Sequence, residues 1–96
     1  MSLHRWAVRR DVNELGIVRE LEARGATVQR VSAPGAPDLL VGYRGQMELV
    51  EVKAGRAKLS ARQREWWAWW NGPKPTILKT KRDATALLDQ LDAEAG

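Results

Sequence analysis

Three charged residues stand inside two otherwise apolar stretches: Asp38 in "APDLLVGY", and Glu51 and Lys53 in "QMELVEVK". A turn at Arg44-Gly45 would fold these stretches into a hairpin in which Tyr43 faces Gln46, and counting outward sets Asp38 opposite Glu51. Directly opposed residues have Cβ atoms about 4.5–5.5 Å apart, so the two carboxylates repel unless something positive sits between them. Lys53 lies two residues beyond Glu51 and points to the same face, roughly 6.6 Å further along. Glu14 is the only charged member of the stripe Glu14, Ile17, Val18, Leu21, and is expected to turn toward the sheet and supply a third carboxylate. Such oxygen donors suit Mg²⁺, which takes one or two carboxylates together with waters and phosphate oxygens. A metal beside carboxylates and a lysine suits phosphodiester hydrolysis: the metal activates a water and neutralises charge on phosphate, while Lys53 positions or activates the attacking water. The plain alternative is that Glu51 and Lys53 are strand-end residues that pair with each other or face solvent.

The elements that must hold these groups follow from periodicity. Residues 11–24 read as a helix, with Arg19, Glu20, Glu22 and Arg24 off the apolar stripe and Gly25 as its stop. "ATVQRV" at 26–31 reads as a strand and "SAPGAP" at 32–37 as a loop. Strands at 37–43 and 46–53, apolar on both faces, imply a sheet covered on both sides. After the basic loop "AGRAK", Ser60 opens a second helix reaching about Trp70, and Gln63 completes a capping box. "NGPKP" ends that helix, "TILK" at 76–79 is a short strand, and 81–93 is a last helix carrying Ala84, Leu87, Leu88 and Leu91 on one stripe. The order α-β-β-β-α-β-α describes one α/β unit over residues 1–96, with a small mixed central sheet flanked by helices.

Composition narrows the partners. Sixteen Lys and Arg against twelve Asp and Glu give a net charge of +4 and a pI near 10.0, which favours a polyanion such as nucleic acid. The absence of cysteine excludes disulfides and thiolate metal sites. No apolar run approaches the ~20 residues of a membrane span and "MSLHRWAVRR" has no signal-peptide core, so a soluble, cytoplasmic protein is expected. A chain of 96 residues has a thin core that a second copy would supplement.

Pro37-Asp38, followed thirteen residues later by Glu51-Val52-Lys53, resembles the PD-(D/E)XK nuclease signature. The frame "DVNELGIVRELEARGATVQRVSAPGAPDLLVG…ELVEVKAG…KLSARQREW", roughly residues 11–70, is similar to the stand-alone phage and bacterial VRR-NUC (virus-type replication-repair nuclease) domains, themselves similar to Holliday-junction resolvases. The resemblance implies a restriction-endonuclease-like core and a Mg²⁺- or Mn²⁺-dependent endodeoxyribonuclease in a bacterial or phage-infected cell. Such an enzyme acts as a homodimer on branched DNA, in repair or junction resolution. It further implies that Asp38 and Glu51 are metal ligands, Lys53 the catalytic lysine, Glu14 the helix carboxylate, and Gln63 the glutamine of the following helix. Asp11 and Glu20 are the alternatives to Glu14 if the helix alignment slips. Ser32 falls where resolvase-like members carry a serine before the aspartate. Gln63 also has the purely structural reading of a capping-box residue.

Arg56, Lys58, Arg62 and Arg64 follow the catalytic strand and are expected to hold a DNA backbone, or else to be ordinary solvated surface. Arg5, Arg9 and Arg10 form a second basic group, and His4 is assigned no catalytic role. In "WWAWW", Trp66, Trp69 and Trp70 share one helical face while Trp67 lies away from Trp69. Tryptophans this dense are core or interface material, so a homodimer contact is favoured over base stacking. Two rival readings are a nuclease fold that binds DNA without cutting it, and an interaction protein that docks through its tryptophan helix.

Overall fold

The computed structural model describes residues 2–96, with side chains from Asn13 onward. His4, Arg5, Arg9, Arg10 and Asp11, named above, therefore have side chains outside the described residues. Seven elements follow in the expected order: α1 (Ser2–Ala23), β1 (Thr27–Arg30), β2 (Leu39–Tyr43), β3 (Gln46–Val52), α2 (Ala61–Trp69), β4 (Thr76–Leu78) and α3 (Lys81–Ala95). Helix α1 begins nine residues before its apolar stripe indicates, because no Gly or Pro between Ser2 and Asp11 stops it. Its other end closes with a Schellman pair of bonds, Ala26 N–H to the Leu21 carbonyl at 3.1 Å and Gly25 N–H to the Glu22 carbonyl at 3.0 Å.

The four strands form one mixed sheet in the order β1-β2-β3-β4, antiparallel at the first two junctions and parallel between β3 and β4. The β2–β3 hairpin turns on Arg44 and Gly45, both at positive φ (52° and 78°), the pattern of a type I′ turn whose twist matches its strands. That turn fixes the predicted Tyr43–Gln46 pair, and the ladder runs outward to Leu39–Val50. The parallel β3–β4 pair needs a crossover, which α2 supplies.

Strand alternation divides the sheet into two unlike faces. Leu39, Val41, Val50, Val52 and Leu78 point inward, where Ile17, Val18 and Leu21 of α1 meet Ala84, Leu87, Leu88 and Leu91 of α3 in one buried core. The opposite face is covered only in part, which corrects the expectation of a sheet buried on both sides. Met47 is 72% exposed and Ile77 40%, because, among the described residues, the side chains of α1 and α3 pack on the inner face and α2 reaches the other. Among the described residues no helix is long and apolar enough to cross a membrane.

Candidate active site

The polar residues of interest collect where β2 begins and β3 ends. The ladder ends at Leu39–Val50, and Asp38, the residue just before β2, would fall level with Glu51 if it continued one step, as the hairpin count predicts. Both are buried, Glu51 at 0% exposure and Asp38 at 7%, and both alternate away from the α1–α3 core. The Asp38 carboxylate accepts the Val52 backbone N–H at 2.8 Å on Oδ2, and its own carbonyl accepts the Val31 N–H at 2.8 Å. The aspartate thus pins the start of its strand to both neighbouring segments.

Helix α2 completes the group through one side chain. Ser60 and Gln63 form the predicted capping box: Ser60 Oγ accepts the Gln63 N–H, and Gln63 Oε1 accepts the Ser60 N–H at 2.8 Å. The same Oε1 accepts from Lys53 Nζ at 2.8 Å, while Gln63 Nε2 donates to Glu51 Oε2 at 2.7 Å. Lys53 Nζ stands 3.3 Å from that Glu51 oxygen, with its side chain only 15% exposed. Two donors on Oε1 and one acceptor at Nε2 fix the orientation of the amide. Gln63 therefore has both of its proposed jobs at once, since the cap and the contact with the charged pair use the same amide.

A recess of about 320 Å³ opens beside this cluster, between the loop from Val31 to Ala36 and the start of α2, with Asp38, Ser60, Arg62 and Gln63 on its walls. Ser32 lines it, as does Arg62, and both are exposed. Gly35 makes the close fit of loop to helix possible. It sits at φ +78°, and a Cβ there would lie 2.8 Å from the Arg62 carbonyl oxygen and 3.3 Å from Trp66 Cβ. Arg56 and Lys58 are exposed on the preceding loop, whereas Arg64 turns back to donate to the Leu59 carbonyl at 2.8 Å.

Glu14 is buried as its stripe predicts, at 6% exposure, but its Oε2 accepts from Arg30 Nε at 2.7 Å. Arg30 pairs with Leu39 and so shares the inner face with α1, while Asp38 and Glu51 alternate to the outer one. Among the described residues no three His, Cys, Asp or Glu side chains gather as a metal-holding group, so Glu14 does not join Asp38 and Glu51 in the expected three-carboxylate cluster. Of the alternatives, Glu20 Oε2 meets Thr85 Oγ1 at 3.4 Å, on the α3 side. Sequence reasoning did not single out Arg30. The signal was available, since Val28 and Arg30 alternate onto one face and a glutamate buried in the α1 stripe needs a cation.

The donor set that remains is of the kind that suits a hard divalent cation: two buried carboxylates, of which Asp38 borders the recess while Glu51 lies fully buried behind it. At the opposite end of the sheet, Asp92 accepts from Tyr43 Oη at 2.8 Å and from Arg44 at 3.0 Å. The Tyr43 hydrogen bond, followed by that of Arg44, holds the Asp92 carboxyl below its ordinary range, and the same bond raises the Tyr43 phenol. This second cluster ties α3 to the hairpin. Compared with protein-family models, with curated proteins and with solved structures, the chain matches none.

Proposed function

We propose that this chain is a metal-dependent endonuclease of the PD-(D/E)XK type, with a restriction-endonuclease-like core similar to VRR-NUC domains. The observation that carries the reading is the buried constellation of Asp38, Glu51, Lys53 and Gln63 at one sheet end, opening on a recess that Arg62 borders. Burying two neighbouring carboxylates costs desolvation and mutual repulsion that an apolar pair would not, so their placement here supports a functional role.

Asp38 and Glu51 would hold Mg²⁺ or Mn²⁺, which when bound polarises a phosphodiester and lowers the pKa of a coordinated water. Gln63 keeps Lys53 Nζ at the buried Glu51 carboxylate, so the ammonium would be presented as a fixed donor to an attacking water or a phosphate oxygen. Arg62 at the rim, with exposed Arg56 and Lys58 on the adjacent loop, supplies positive charge for a nucleic-acid backbone. The substrate class is DNA, and branched DNA cut by a homodimer is the form to which the resemblance points. A cytoplasmic enzyme of repair or junction resolution fits that substrate.

The test is Mg²⁺-dependent cleavage of labelled four-way junction, flap, duplex and single-stranded DNA, comparing wild type with Glu51→Gln. Cleavage by wild type that is lost in the variant is the expected result. No cleavage of any substrate by folded wild type in Mg²⁺ or Mn²⁺ defeats the proposal and leaves a DNA-binding module.

A further inference from the structure

The tryptophan helix carries a feature that the proposed chemistry does not use. Trp69 is 73% exposed, a large indole left in water, yet it is not loose. Its ring meets the edge of Trp66 at a centroid distance of 6.1 Å and an angle of 64°, and Trp66 in turn stacks on Trp70 at 5.0 Å and 15°. Trp70 is anchored: its indole N–H donates to the Pro73 carbonyl at 3.0 Å, and its ring lies so close to Gly72 that an added Cβ would fall 2.6 Å away. The exposed indole is thus backed by two rings and a hydrogen bond, a pre-ordered flat surface whose immobilisation costs a ligand little.

Its position along α2 gives it a direction. Arg62, Trp66 and Trp69 fall at i, i+4 and i+7 and so share one helical face. That face begins at Arg62 on the wall of the recess beside Asp38, and Trp66 packs against Gly35 of the recess loop. A strand leaving the recess along this face meets a guanidinium first and an open aromatic surface about two turns later.

We infer that this face of α2 binds an unpaired stretch of nucleic acid, its phosphate against Arg62 and a base stacked on Trp69. The inference rests on the nuclease reading and specifies that the substrate carries a single-stranded segment at the site. Charge complementarity selects this occupant: Arg56, Lys58, Arg62 and Arg64 are all exposed on the loop before α2 and on its first half, from which the platform face runs, and an unpaired base offers the free π-face that a paired one keeps inside its stack. A second copy of the chain is less suited to it, since the exposed neighbours of Trp69 on the helix are Glu65 and Ala68, residue types depleted from protein–protein interfaces. The sheet face bearing Met47 and Ile77 offers a second copy a more apolar surface.

The full chain is titrated in EDTA against labelled oligo-dT and against duplex of equal length, reading anisotropy, with sedimentation and thermal melting run on each variant. Trp69→Ala is expected to fold as wild type, weaken oligo-dT binding by about 5- to 150-fold, and leave duplex binding unchanged. Trp69→Phe keeps a ring and retains most of the affinity. Equal oligo-dT affinity in wild type and Trp69→Ala overturns the inference, as does a wild-type dimer that Trp69→Ala converts to monomer with unchanged DNA affinity. Stacking is read in EDTA and cleavage in Mg²⁺, so the two readings fail separately. Cleavage with no Trp69 effect removes the platform alone, and the Trp69 effect without cleavage upholds the platform and removes the nuclease.

Discussion

Asp38→Asn is expected to stabilise the fold while abolishing cleavage. The asparagine carbonyl oxygen can accept the Val52 N–H that Asp38 Oδ2 accepts at 2.8 Å, so that hydrogen bond survives the loss of the charge. Level with it in the register stands the fully buried Glu51. Two carboxylates roughly 6 Å apart at an effective dielectric of about 20 repel by about 3 kcal/mol. Lys53, whose Nζ is 3.3 Å from Glu51, also attracts Asp38. At a distance of about 8 Å that attraction recovers about 2 kcal/mol. Between Asp38, Glu51 and Lys53 the relief is about 1 kcal/mol, which in a domain of this size raises the melting temperature by roughly 4–8 °C. Thermal and urea unfolding in EDTA at neutral pH measure the difference. Added Mg²⁺ should then stabilise wild type and not the variant, closing the gap, because a ligand of the folded state alone shifts unfolding by mass action. A variant destabilised by more than about 1 kcal/mol in EDTA would refute the reasoning and make Asp38 a structural residue. So would a wild type whose melting Mg²⁺ leaves unmoved.

Gln63→Leu keeps the length of the side chain but removes its bonds to Lys53, Ser60 and Glu51. With a buried carboxylate left short of a donor, the expected loss is about 2–4 kcal/mol, against about 1 for Ser60→Ala, which removes only the cap. Equal urea midpoints for the two variants would show that Gln63 serves the cap alone. The Asp92 carboxyl is held low by Tyr43 and Arg44, so its contribution to stability is present above the unfolded pKa and fades as pH falls below about 4. Wild type and Asp92→Asn should therefore differ in urea midpoint at pH 7, by a gap that narrows steadily as pH falls from the unfolded toward the lowered folded pKa. A gap that does not narrow on acidification would mean that the charge of Asp92 is not what holds α3 to the hairpin.

Much of this molecule is legible from short-range rules. The period of 3.6 in α3, the Ser60–Gln63 spacing and the Arg44-Gly45 turn each act over a few residues, and each appears as expected. The turn alone decides the β2–β3 register, because a two-residue loop leaves no slack, and with it the opposition of Asp38 and Glu51. Burial of Glu14 is likewise written in its stripe, but its partner is not. Whether it turns to Arg30 or to the site depends on which sheet face α1 covers, a choice made between elements far apart in sequence.

The chain by itself therefore determined the elements, their order, the hairpin register and the acids and lysine that the register brings together, since local sterics and strand alternation suffice for all of these. Only the tertiary structure decided that α1 and α3 share one face and that the other stays partly open. It alone brought Gln63 across to join Glu51 to Lys53 and left Trp69 backed by rings yet facing water. Those outcomes turn on how helices pack against a twisted sheet, a competition of buried area among distant segments that no local pattern encodes.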